Sequence, residues 1–104
     1  MSVKPIAPEE AARLVAEGAL LVDIREPDEC TVVIAGAHPA PLSRGAGGIA
    51  ARPGQAVIFH CRSGQRTRMN AHALAGAVAT NDVYLLQGGI DGWRAAGLPV
   101  QRRL

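Results

Sequence analysis

The sequence is poor in aromatic residues and in cysteine, and its basic residues form no long run. One Trp, one Tyr and one Phe occur among 104 residues, and the two cysteines are Cys30 and Cys61. Two cysteines do not make the disulfide framework of a small secreted domain. Because the net charge is only +2 and few rings are available for stacking, nucleic acid is not expected as a partner.

Long apolar runs are also missing. No stretch approaches the ~20 apolar residues of a membrane helix, and the first residues lack the apolar core of a signal peptide. We therefore expect a cytoplasmic protein with no membrane segment in this chain. Hydrophobic residues still make up 48% of the sequence, which predicts a folded core rather than disorder. The length suits a single domain spanning residues 1–104.

Strands and helices are predicted to alternate along the chain. Short apolar runs predict strands at residues 19–24, 56–60 and 83–86; the first is typical of a strand buried on both faces, and the second is also predicted to be buried. Apolar spacing predicts helices over residues 8–17, 66–78 and 90–96, while residues 30–37 are ambiguous and residues 44–52 form at best a weak helix. The apolar face of the second helix is predicted to contain Met69, Ala73, Leu74, Ala77 and Val78. This alternation predicts an α/β fold with a mostly parallel sheet.

The segment after the second strand is the strongest candidate for chemistry; it reads Cys61, Arg62, Ser63, Gly64, Gln65, Arg66. It lies at the carboxyl end of a strand, where α/β folds bind ligands. Gly64 permits a tight turn, which can direct successive backbone N–H groups inward to form a nest for negative charge. A helix N-terminus would add partial positive charge. These features would stabilise a thiolate at Cys61 and bind an anionic substrate beside Arg62 and Arg66.

Four stretches of the chain resemble the rhodanese-like sulfurtransferase domain family. They are residues 21–26 with Asp23 and Arg25, residues 36–42, the loop 61–66, and residues 86–100 with Gly88, Gly89 and Trp93. The likeness is to single-domain rhodaneses and to the cytosolic rhodanese domain of bacterial membrane-anchored sulfurtransferases. It implies a rhodanese fold, with a five-stranded, mostly parallel sheet flanked by helices.

The resemblance also implies a reaction. Cys61 would be the catalytic residue, taking a sulfane sulfur from a donor such as thiosulfate as a persulfide and passing it to cyanide or a thiol. Substrate would be bound by Arg62, Ser63, Gly64, Gln65 and Arg66, with Asp23 and Arg25 as supports. No metal and no organic cofactor are implied, and a protein thiol remains open as a partner. Trp93 would anchor the core, and a structural role is favoured for His60.

Two alternatives stay open from the sequence. Cysteine phosphatases and arsenate reductases place an Arg after Cys and five residues, so that it clamps a tetrahedral oxyanion; here that position is Thr67, and Arg66 comes one residue early. A persulfide carrier or regulatory rhodanese module would keep the same cysteine.

The stretch from Cys30 to Ile34 departs from the family pattern. Cys30 there is interpreted as a small buried residue in place of an aromatic, with a resolving thiol as the less favoured reading.

Overall fold

The computed structural model describes residues 3–46 and 49–103. Within these residues seven strands and four helices follow one another: β1 (Val3–Ile6), α1 (Pro8–Ala16), β2 (Leu20–Asp23), β3 (Val32–Val33), β4 (His38–Pro39), β5 (Val57–His60), α2 (Gln65–Met69), α3 (Ala71–Gly76), β6 (Val83–Leu86), α4 (Gly89–Ala95) and β7 (Gln101–Arg102). Short 3-10 turns occupy Pro27–Glu29 and Leu42–Arg44. No helix in the described residues is long and apolar enough to cross a membrane.

Five strands form one sheet in the order β1-β6-β5-β2-β4, and all of their pairings are parallel. This confirms the predicted α/β fold with a five-stranded, mostly parallel sheet. The ambiguous residues 30–37 contain only β3, which pairs with β7 in a separate antiparallel ribbon. Since β5 is the central strand, Cys61 emerges from the middle of the sheet, and Asp23 of β2 lies opposite His60 of β5.

The core lies on both faces of the sheet. Val57 and Phe59 of β5 belong to one buried cluster and Ile58 to the other, as alternation along a strand requires. The first cluster includes Leu74 of α3. The second includes Ala11 of α1 with Ile90 and Trp93 of α4. The three central strands were therefore predicted correctly.

The predicted helix over residues 66–78 is wrong, because the chain forms two short helices that meet at Asn70. The Asn70 side chain donates from Nδ2 to the carbonyl oxygen of Arg66 at 2.8 Å. An Asn side chain that bonds the backbone in this way competes with helix propagation. The break changes which residues face inward: Leu74 is buried as predicted, whereas Met69 is 75% exposed and Ala73 is also at the surface.

The weak helix considered for residues 44–52 is not formed in the described part of that stretch. The turn Leu42–Arg44 ends at Gly45, and residues 49–52 have no regular structure. Gly47 and Gly48 lie outside the described residues. Several glycines in so short a stretch disfavour a helix, because glycine has the largest entropic cost of ordering.

The break at Asn70 makes a prediction about stability. We expect Leu74→Ala to lower the free energy of unfolding by roughly 2–5 kcal/mol, because it leaves a cavity in the core. We expect Met69→Ala to change it by less than about 0.5 kcal/mol, as for most surface substitutions. Urea unfolding of the two variants measures both. If both substitutions lowered the free energy of unfolding by similar amounts, the break at Asn70 would be contradicted and one continuous helix supported.

Candidate active site around Cys61

The loop places a backbone donor at the Cys61 sulfur. Cys61 directly follows β5 and has no exposed surface. The N–H of Gly64 donates to its Sγ at 3.1 Å. Gly64 has φ of +94°, a left-handed conformation that glycine adopts without steric cost. The turn predicted at Gly64 therefore folds the loop back over the sulfur.

Thr67 closes the loop from its far end. Its Oγ1–H donates to the carbonyl oxygen of Gly64 at 3.0 Å, and the N–H of Arg68 donates to the same oxygen at 3.2 Å. Thr67 is fully buried. Position 67, where a phosphatase loop would place its arginine, thus holds a structural hydroxyl that belongs to the loop itself.

The back of the loop is tied to the first turn of α4. The N–H of Ile90 donates to the carbonyl oxygen of Cys61 at 2.9 Å, and the N–H of Asp91 donates to that of Arg62 at 3.0 Å. A Cβ on Gly89 would lie 2.5 Å from both of these oxygens. From the sequence, Gly89 was noted only as part of the family-like stretch 86–100. This contact joins two distant segments, and the Gly88-Gly89 pair is the only sequence signal of it.

Asp23 and Arg25 form a buried ion pair beside β5. Arg25 Nη2 lies 2.9 Å from Asp23 Oδ2, and its Nε donates to Oδ1 at 3.0 Å. Burial opposes ionisation of Asp23, but the hydrogen bonds from Arg25 and nearby positive charge outweigh it and lower the pKa of the carboxyl. Arg25 also donates to the carbonyl oxygen of Val32 at 2.9 Å. The pair therefore fixes the start of β3.

His60 is fully buried next to this pair. Its Nδ1 lies 3.1 Å from the carbonyl oxygen of Cys61, and its Nε2 lies 3.8 Å from Asp23 Oδ2. Burial lowers the pKa of His60, which favours the neutral imidazole. A carbonyl only accepts, so Nδ1 carries the proton in this contact. The arrangement fits the structural role favoured for this histidine.

Arg66 is already bound to a carboxylate of the chain. Its Nη2 and Nη1 donate to Glu29 Oε1 and Oε2 at 2.7 and 2.8 Å. The Arg66 hydrogen bonds lower the pKa of Glu29 to about 2, and Glu29 in turn raises the pKa of Arg66. An anion that binds Arg66 must share it with Glu29 or displace that carboxylate. No sequence pattern identified Glu29 as its partner.

Three predicted binding residues, Arg62, Ser63 and Gln65, lie at the surface of the loop. Arg62 Nε is 3.8 Å from Asp91 Oδ2, and Ser63 Oγ accepts the N–H of Gln65 at 3.5 Å. Beside Arg62 lies a cavity of about 280 Å³, here called the rim cavity. It is lined by Arg25, Glu29, Thr31, Val32, Arg62, Ile90, Asp91 and Arg94.

Comparison with known proteins decides the family. A sequence model of the "Rhodanese-like domain" matches residues 7–96. The chain belongs to the rhodanese-like domain family. No curated protein sequence matches it at a significant level. The resemblance found from the four sequence stretches is thereby confirmed.

Solved structures show the same fold. A rhodanese-related protein from Thermoplasma volcanium superposes with a TM-score of 0.79 at 22% identity, over 94% of this chain and 97% of that one. A thiosulfate sulfurtransferase from Pseudomonas aeruginosa gives 0.81 at 23%, over 97% of this chain but 20% of that one. A Rhodopseudomonas palustris protein described as a possible tyrosine phosphatase gives 0.76 at 23%, over 95% and 85%. Relatives of this fold thus include sulfurtransferase and phosphatase-like proteins.

The second cysteine of this rhodanese-like chain is a buried hydrogen-bond donor. Cys30 Sγ lies 3.4 Å from the carbonyl oxygen of Glu26 and 3.7 Å from Asp23 Oδ2. Burial and the Asp23 charge raise the pKa of this thiol. These contacts fit the small buried residue that the sequence favoured.

Across residues 3–46 and 49–103, no three His, Cys, Asp or Glu side chains are grouped closely enough to bind a metal ion.

The contact behind the loop can be tested with two glycines. Both Gly89 and Gly97 have positive φ, +58° and +78°, so alanine at either site costs roughly 1–2 kcal/mol in backbone strain. A Cβ on Gly97 meets nothing within 4 Å, whereas one on Gly89 meets the Cys61 and Arg62 oxygens. We expect Gly89→Ala to destabilise the fold clearly more than Gly97→Ala in urea unfolding. Equal losses would show that the carbonyls are not held against α4.

The Glu29–Arg66 pair makes a pH prediction. Because the pKa of Glu29 falls from 4.5 to about 2 on folding, the pair stabilises the fold above pH 4.5 and loses that contribution as the pH falls toward 2. Both side chains are about one-third exposed, so the contribution is at most about 1 kcal/mol. NMR titration should place the Glu29 midpoint well below 4.5, and Arg66→Gln should raise it. An unshifted wild-type midpoint would contradict the pair.

Proposed function

We propose that this chain is a thiosulfate sulfurtransferase in which Cys61 carries the transferred sulfur as a persulfide. The observation that supports this most is the hydrogen bond from Gly64 N–H to Cys61 Sγ at 3.1 Å, in a loop that ends on a buried threonine. A sulfur atom that accepts a backbone N–H at the carboxyl end of a central strand is suited to nucleophilic attack on an anionic donor.

In the proposed first step the Cys61 thiolate attacks the outer sulfur of thiosulfate. A new S–S bond forms to Cys61, the donor S–S bond breaks, and sulfite leaves with the electron pair. In the second step cyanide or a thiolate attacks the outer sulfur and Cys61 leaves as thiolate. Backbone N–H groups of residues 62–66 would stabilise the negative charge in both steps, with Asp23 and Arg25 supporting the loop from the side.

Access of the donor depends on the surface around the loop. Cys61 has no exposed surface in this structure. Side chains around it must therefore shift before the outer sulfur of thiosulfate can reach Cys61 Sγ. Arg62 has a side chain that is 74% exposed, which suits it to attract thiosulfate by its charge. Arg66 would bind the donor only as far as Glu29 releases it. The two arginines predicted as substrate-binding residues would therefore act differently.

Thr67 is the residue that disfavours phosphate chemistry. Phosphatase loops need a guanidinium at that position to bind two oxygens of a tetrahedral oxyanion, and here its place is taken by a hydroxyl bonded to Gly64. A persulfide carrier or regulatory module remains the second candidate, since it would use the same cysteine.

The two free cysteines support a cytoplasmic location, because reducing compartments keep thiols unpaired.

The proposal predicts different fates for the two cysteines. Cys61→Ser should abolish thiosulfate:cyanide sulfur transfer, because serine has no sulfur that can carry the persulfide at the position where the Gly64 N–H points. Cys30→Ser should keep most of the rate, because its thiol lies in a buried hydrogen bond away from the proposed chemistry. Thiocyanate formation measures both, with unfolding midpoints as the control for folding. Full thiocyanate formation by the Cys61→Ser variant would contradict the proposal.

Two further assays separate the alternatives. Hydrolysis of a generic aryl phosphate above background, lost in Cys61→Ser, would favour the phosphatase. A protein that takes up one sulfur from thiosulfate but turns over only slowly with cyanide and thiols would be a carrier. We expect neither result, and steady turnover with cyanide.

A further inference from the structure

We infer that Glu29 sets the donor selectivity of the site: by holding Arg66, it disfavours sulfur donors with two negative charges and favours donors with one, such as thiosulfonates. The inference rests on the proposed persulfide chemistry at Cys61 and narrows the donor class of its first step. Thiosulfate, a dianion, is then a usable donor that binds weakly. The inference is carried by the geometry of the Glu29–Arg66 pair and by its position at the loop.

The charge of Arg66 is felt at the Cys61 sulfur. Arg66 is the second residue of α2, directly after the loop in which Gly64 donates its N–H to Cys61 Sγ. The pKa of Arg66 is raised mainly by its hydrogen bonds with Glu29, and the negative charge of the Cys61 thiolate raises it further. An anionic donor that approaches Cys61 Sγ therefore enters the electrostatic field of the Arg66 guanidinium.

Glu29 cancels most of that field. Both terminal nitrogens of Arg66 donate to the Glu29 carboxylate, at 2.7 and 2.8 Å. The pKa of Glu29 is about 2, so the carboxylate is charged at neutral pH. The two side chains are 34% and 32% exposed, which leaves the pair open to a ligand from solvent. A donor thus meets a closed pair of opposite charges rather than a free guanidinium.

The carboxylate is the fixed partner of this pair. Glu29 Oε2 also accepts the N–H of Glu26 at 2.9 Å, within the short turn that Glu29 ends. Arg25 donates to the carbonyl oxygen of Glu29 at 3.4 Å. When the pair opens, the long side chain of Arg66 can therefore move while the Glu29 carboxylate stays beside the site.

Binding then depends on how many charges the donor brings. The closed pair attracts an anion weakly, because its opposite charges nearly cancel at a distance. The opened pair offers the guanidinium but leaves the carboxylate nearby, and that carboxylate repels a dianion about twice as strongly as a monoanion. The site therefore discriminates by a repulsive group as well as by an attractive one.

Thiosulfate and methanethiosulfonate differ in charge but deliver the same sulfur. The Cys61 thiolate attacks the outer sulfur of either donor, a new S–S bond forms, and the donor S–S bond breaks. Sulfite leaves with the electron pair from thiosulfate, and methanesulfinate leaves with it from methanethiosulfonate. Both reactions give the same Cys61 persulfide without a further oxidant or reductant. A difference between the two donors thus reports on the donor alone.

The substitution Glu29→Gln tests the inference in single-turnover loading without an acceptor, with the persulfide counted by mass spectrometry. Glutamine keeps an oxygen for the Glu26 N–H but removes the negative charge. We expect the half-saturating concentration to fall about fivefold for thiosulfate and about twofold for methanethiosulfonate, within the range that exposed ion pairs allow. The maximal loading rate should change little, because Glu29 acts on donor binding and not on the reacting sulfurs.

Asp28→Asn is the matched control. Asp28 lies in the same turn with an exposed side chain, and the Arg66 hydrogen bonds go to Glu29 instead. This substitution removes the same charge from the same turn but leaves the pair closed. We expect it to keep the wild-type ratio of half-saturating concentrations for the two donors.

Arg66→Gln, alone and combined with Glu29→Gln, separates selectivity from a purely structural role. Alone it should raise the half-saturating concentration of thiosulfate, because the Glu29 carboxylate is then unpaired beside the site. Adding Glu29→Gln should lower that concentration again, a coupling that a double-mutant cycle measures. If Glu29 only supported the fold, the second substitution would add a further loss. Urea unfolding midpoints show that each variant is folded.

The outcomes separate this inference from the proposed function. Equal shifts for both donors in Glu29→Gln, or a result that matches Asp28→Asn, would overturn Glu29 as the determinant of donor selectivity and leave sulfur transfer intact. The same holds if the double variant loads no better than Arg66→Gln. Failure of the wild type to load sulfur from either donor would overturn the proposed function itself.

Discussion

The structure of the site depends on two backbone hydrogen bonds, from Ile90 and Asp91 in the first turn of α4 to the carbonyl oxygens of Cys61 and Arg62. They hold the loop from behind, and the N–H of Gly64 donates to the Cys61 sulfur. Ile90 and Trp93 are also core residues, and full burial of one such side chain contributes roughly 1.5–3 kcal/mol. Packing of α4 on the sheet thus positions the loop that carries Cys61.

Charge around the loop is balanced rather than strongly positive. Three arginines near Cys61 have a carboxylate within reach: Asp23 for Arg25, Glu29 for Arg66 and, more loosely, Asp91 for Arg62. The inner pair is buried, and removing one partner there would leave an uncompensated charge at high cost. The outer pairs are exposed and weaker, so they can exchange partners with a ligand. The hydrogen bond from Gly64 N–H to Cys61 Sγ does not depend on these exchanges.

The sequence predicted what is encoded in contiguous residues. The central strands β2, β5 and β6 are buried on both faces and read as apolar runs, and the loop after β5 is a contiguous stretch. The edge strands β1 and β4 were missed, because each contains a proline and β4 has only two residues; prolines are tolerated at sheet edges. The break at Asn70 arises from a side-chain bond that apolar spacing does not reveal.

The same limit applies within the site. The pairing of Arg66 with Glu29 and the contact of Gly89 with the loop carbonyls join segments that are distant along the chain. Only the sheet order brings these segments together, so no local pattern could show them. The nucleophile candidate and its loop could be identified from the sequence, because those residues are adjacent along the chain.

Mass spectrometry of the protein after incubation with thiosulfate tests the central claim most directly. We expect a gain of about 32 Da, one sulfur atom, on the peptide that contains Cys61, and its loss on adding cyanide. An unmodified Cys61, or the added sulfur on the Cys30 peptide instead, would contradict it.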